Sequence, residues 1–134
     1  MYERKALQLP GDLEERQVAA ALGWTRVVAG AAMFLAPQKA ARVWLGQGGT
    51  ATVTRTAVRS LGGREAALGI GILLSLRNDV GVRGWLEGAA MADASDSIAM
   101  LTTYRRLPKV RRTVFIAAGV GAAVFQQRLA AGFA

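Results

Sequence analysis

Six charged residues, Arg26, Arg59, Arg64, Glu65, Asp93 and Asp96, lie inside stretches that otherwise read as membrane-crossing helices. Charge in hydrocarbon is costly, so residues placed there must pair, meet water or do chemistry. The pattern predicts an all-α four-helix transmembrane bundle with a polar layer at mid-depth. Three arginines stand against three acids in that layer, so its formal balance is even.

A chain of 134 residues suffices for one domain, and no shift in composition marks a second, so residues 1–134 are expected to form a single bundle. Its 52% hydrophobic content rests on small and aliphatic residues, and its charges fall in bursts, as in alternation between lipid and water. The mean hydropathy is only modestly positive, which keeps a soluble helical bundle open as the alternative. The absence of cysteine and histidine excludes disulfides, thiol nucleophiles, imidazole bases and the usual zinc sites. No cofactor is expected. Asp93-Ala94-Ser95-Asp96 offers two carboxylates, an incomplete magnesium site, so no metal is expected either.

The net charge of +8 comes from basic residues that flank apolar spans without any aromatic-basic nucleic-acid motif. Anionic lipid headgroups are therefore the expected partner, and nucleic acid is not. The opening segment, Met1 to Gln17, contains acids and lacks the apolar core of a cleaved signal, so the first span is expected to serve as an uncleaved one.

Pro10-Gly11 breaks the chain before Asp12 and Glu15, which have capping-box spacing. The first span is expected over about residues 17–36, ending at Pro37 with Arg26 near its middle. Lys39 to Leu45 can form a short interfacial helix, with Trp44 at headgroup depth, although a solvated loop fits as well. The second and third spans, about 56–76 and 84–104, are joined by the short link Arg77 to Arg83 and so should be antiparallel neighbours. A fourth is expected over about 113–131, its far end made interfacial by Gln126, Gln127 and Arg128. The basic run Arg105, Arg106, Lys109, Arg111 and Arg112 favours a cytoplasmic connection holding anionic lipid, with both termini outside. The expected location is the cell membrane, as a multi-pass protein.

Counting outward from Val80 puts Arg64 and Glu65 at the level of Asp93 and Asp96. Asp93 and Asp96 share one face with Leu86, Ala89, Met100 and Thr103. Glu65 shares a stripe with Leu61, Leu68 and Ile72, and Arg64 points about 100° away, so the two should pair towards different neighbours. Repulsion between two close carboxylates favours a proton held on one of them, which makes Asp93, Asp96 and Glu65 the candidate acid/base groups. Arg26, Arg64 and Arg59 are the candidates for binding or charge pairing, the first two also for gripping an anionic group. Arg59, near the end of its span, is expected to snorkel, Glu87 to be solvated and Trp85 to anchor at the interface. Trp24 is expected to face lipid or to stack against Arg26. Gly62/Ala66 and Ala67/Gly71, with Gly119 and Gly121, supply small residues for close helix approach; the glycine run lacks the strand and Lys-Ser/Thr ending of a phosphate loop.

The pattern Arg59-x-x-Gly62-Gly63-Arg64-Glu65, then Gly69 and Gly71, then Asp93-x-x-Asp96, resembles that of a family of small four-span bacterial integral membrane proteins of unknown function. The resemblance implies a membrane bundle and no activity. It does not extend to small multidrug transporters, whose first span carries a key glutamate where this chain offers Arg26. Two functional classes follow from the residues. In one, the polar layer binds a small lipophilic molecule and a carboxylate moves a proton, as an isomerase, cyclase or proton-linked carrier requires. In the other, the chain is an accessory or scaffold subunit of a larger membrane complex, its buried charges fixing helix packing. A carrier of this size would need to form a homo-oligomer.

Overall fold

The computed structural model describes residues 14–46, 51–103 and 108–133. Among them the chain is all-α and without strands: α1 (Glu15–Leu35), α2 (Pro37–Leu45), α3 (Thr52–Asn78), α4 (Val82–Thr103), α5 (Lys109–Ala130) and a closing 3-10 turn, Ala131–Phe133. The long helices fall on the four expected spans, and α2 on the expected short helix. Two stretches, Glu15–Leu35 and Lys109–Phe133, are long and apolar enough to cross a membrane. α3 and α4 are long enough but carry the charges that dilute their apolar runs, including Arg59, Arg64 and Glu65 on one and Glu87, Asp93 and Asp96 on the other. Asp12 of the expected capping box, and Arg105 and Arg106, lie outside the described residues.

The chain divides into two compact units, Ala20–Leu74 and the joined segments Met1–Ala19 with Ser75–Ala134. In the unit Ala20–Leu74, α1 and α3 meet through their backbones. A Cβ on Gly62 would come 2.6 Å from the Gly30 carbonyl oxygen and 2.8 Å from the Phe34 nitrogen. On Gly69 it would come 2.8 Å from the Val27 nitrogen and would also overlap Gly23. Gly23 and Gly30 are seven residues apart on α1, as are Gly62 and Gly69 on α3, so each pair lies on one helix face. Only glycine permits this approach.

Pro37 does more than stop α1. It occupies the start of α2, where its missing N–H costs nothing, and α2 ends at Gly46, whose φ of 68° suits glycine. α2 folds back so that Ala41, Ala40 and Trp44 pack on Met33 and Val58. Trp44 is thus half-buried against that apolar cluster, while Lys39, Arg42 and Val43 face outward. At the C-terminal end of α1, Arg59 Nε donates to the Phe34 carbonyl at 3.2 Å, meeting an acceptor the helix leaves without an internal donor.

In the other unit, α4 and α5 pack along a stripe of buried Val82, Leu86, Ala89 and Ser97 on α4 and Gln126, Leu129 and Ala130 on α5. Arg16 closes the end of α3, donating through Nη2 to the Leu76 carbonyl at 2.6 Å and pairing through Nη1 with Asp79 at 2.7 Å. Asp79 itself has a φ of 55° and Gly81 one of 74°, the left-handed geometry that turns α3 into α4.

Candidate functional site

Two polar clusters form, one in each unit. In the first, Arg26 is 6% exposed and the one charged residue of α1 between residues 21 and 35, and its Nη1 donates to Oε2 of Glu65. Arg64 Nη2 donates to the other carboxylate oxygen, Oε1, at 3.2 Å. Glu65 is therefore shared by two guanidinium groups. Arg64 and Glu65, expected to serve different neighbours, also meet each other, because the arginine stem is long enough to reach round one helical step. Arg26 lies between Gly23 and Gly30, and Glu65 between Gly62 and Gly69, so the close-packed glycines bracket the ion pair above and below.

The second cluster lies between α4 and α5. Asp93 continues the inward stripe of Leu86, Ala89 and Ser97, and its Oδ2 accepts a hydrogen bond from Gln126 Nε2. The same nitrogen donates to the Ala122 carbonyl at 2.9 Å, and Ser97 Oγ donates to the Asp93 carbonyl at 2.9 Å. Gly119 admits Ser97 here, since a Cβ on it would overlap the serine hydroxyl; Gly121, expected to pack in the same way, faces open space. Asp96, one turn on, has a carboxylate oxygen within 4.8 Å of one from Asp93, and both residues are half-buried. The pair can offer two oxygen ligands to a hard cation.

Other expected positions fall elsewhere. Arg59 is exposed and caps α1, as a residue at the end of a span can. Glu87 is half-buried and takes a hydrogen bond from Arg83 at 2.7 Å. Trp24 and Trp85 are 61% and 43% exposed, which leaves both on the outer surface. Lys109, Arg111 and Arg112 open α5, which has no acid in its first turn and no side-chain cap at Pro108. Gln126, expected at an interfacial helix end, is instead fully buried, while Gln127 and Arg128 are exposed. Gln126 and Ser97 were missing from the expected site. The signal available for Ser97 was its place one turn beyond Asp93; for Gln126 it was an amide standing seven residues from Gly119 on the same face. No family model, curated protein or solved structure matches the chain.

Proposed function

We propose that the chain is a multi-pass cell-membrane protein, a four-span helical bundle that binds a small lipophilic molecule and moves a proton through Asp93, Asp96 or Glu65. Arg26 and Arg64 would hold Glu65 or grip an anionic group on the ligand. The observation that carries the reading is an inverted distribution of polarity. Between residues 21 and 35 of α1 the one charged side chain, Arg26, is buried, whereas Trp24, Val28, Phe34 and Leu35 face outward. From 113 to 126 on α5 the buried residue is Gln126, and Val114, Val120 and Val124 are exposed. Only 28% and 17% of the two apolar windows is buried, unlike the core helix of a water-soluble protein. Outward hydroxyls are also satisfied within their own helices: Thr25 donates to Ala21, Ser95 to Ala92, Thr102 to Ala99 and Thr113 to Lys109. Lipid offers no hydrogen bonds, so such internal pairing suits a bilayer.

Anionic headgroups beside Lys109, Arg111 and Arg112 belong to the same proposal, as does membership of the small four-span family. The accessory-subunit reading is favoured by one observation, the Arg26–Glu65–Arg64 cluster locked between glycine contacts, which suits a register pin. Purification from native membranes discriminates between the two. A lipophilic molecule that accompanies the protein and is lost in folded Asp93→Asn or Asp96→Asn supports the site. A stoichiometric protein, with the same variants losing assembly, supports the subunit.

A further inference from the structure

We propose that Gln126 is a positioning residue that holds Oδ2 of Asp93 and so confines any proton carried by Asp93 to Oδ1. The inference rests on the carboxylate chemistry proposed above. Burying an amide without partners is costly, and a leucine of similar volume would fill the same space. Gln126 is 0% exposed, and both protons of its nitrogen are used, one towards Ala122 O at 2.9 Å and one towards Asp93 Oδ2. That double use fixes the amide's orientation. Turned over, its carbonyl would face two acceptors, Ala122 O and the carboxylate.

An N–H directed at Oδ2 favours that oxygen as the carbonyl acceptor of a protonated carboxyl group, and an amide neither gives nor takes a proton itself. Protonation then forms an O–H bond at Oδ1, and deprotonation breaks that bond, while Oδ2 remains the acceptor in both states. Asp93 is held at its backbone too. Ser97 Oγ donates to the Asp93 carbonyl at 2.9 Å, and Gly119, on the same face of α5 as Gln126, leaves room for that hydroxyl. Gln126 of α5 thus holds the side chain of one aspartate of α4, while Ser97, on α4 itself, holds that aspartate's backbone.

Infrared spectroscopy of the full chain in detergent tests the proposal without knowledge of the ligand. The Asp93 carboxyl and carboxylate stretches are assigned by their disappearance in Asp93→Asn, and those of Asp96 by Asp96→Asn. In Gln126→Leu the Asp93 bands should shift to the frequencies of a carboxyl without an amide donor, with the Asp96 assignment retained; Gln126→Asn, whose shorter side chain keeps the donor, should restore part of the shift. Where Gln126→Leu does not fold, nitrogen-15 resonances of the Gln126 side-chain amide, compared between the natural chain and Asp93→Ala, give the reciprocal reading and should move. Unmoved Asp93 bands in folded Gln126→Leu, or unmoved amide resonances in Asp93→Ala, overturn the proposal. If the bands shift while Asp93→Asn retains its full content of copurified lipophile, the positioning role stands and the acid/base function falls.

Discussion

Glu65 accepts from Arg26 on one oxygen and from Arg64 on the other, and burial decides which contact matters more. Arg26 is 6% exposed and Arg64 34%, so water screens the second contact and hardly reaches the first. Glu65→Gln keeps the volume but strands Arg26, and should cost about 3–5 kcal/mol, read as a lowered midpoint of unfolding in mixed micelles. Arg64→Ala should cost only about 1 kcal/mol in the same assay. Replacing both members of the deep pair, Arg26→Met with Glu65→Leu, should recover most of the loss, because the penalty comes from the stranded charge. Arg64 was expected to pair elsewhere than with Glu65, whereas the need of Arg26 and Glu65 for a counter-charge was legible from their place in apolar helices. Which oxygen meets which guanidinium was not, because it depends on side-chain reach rather than on helical phase. The buried amide at Gln126 was hidden by its neighbours Gln127 and Arg128, whose polarity made the whole helix end look wet.

At the scale of the helices, glycine positions sort by what a side chain there would meet. Gly30 faces the backbone of Ala66 and Gly62, and Gly88 on α4 faces open space. Gly30→Ala should push α1 from α3 and cost about 1–3 kcal/mol. Gly88→Ala should be neutral or gain up to about 1 kcal/mol from helix propensity. The same unfolding assay checks both, and equal effects at the two positions would remove the argument for backbone contact. Element boundaries were readable because Pro37, the link around Gly81 and Pro108 punctuate the apolar runs. The contact register of α1 on α3 was less readable. Of the two pairs expected to mark close approach, Gly62/Ala66 does so, both meeting Gly30, and Gly69 extends the contact seven residues on, whereas Ala67 is exposed.

For the whole molecule, outward valines and tryptophans over inward charges predict that the purified protein stays monodisperse only with an amphiphile; a monodisperse detergent-free sample would overturn the membrane assignment. Lys109→Gln should weaken selectivity for anionic over zwitterionic lipid about fivefold, equivalent to about 1 kcal/mol per cation, measured with spin-labelled lipids. The placement of Arg26 also bears on biogenesis. An arginine at the centre of a span opposes insertion by roughly 2.5–3.5 kcal/mol when the helix is alone. Its counter-charge is encoded 39 residues later, so a nascent chain displays the cation well before the anion emerges. On the proposed membrane reading, α1 should therefore enter the bilayer as a hairpin with α3 rather than by itself. Truncation after residue 46 should trap the segment at the translocon exit or release it to the aqueous side, and Arg26→Leu should free it to integrate unaided.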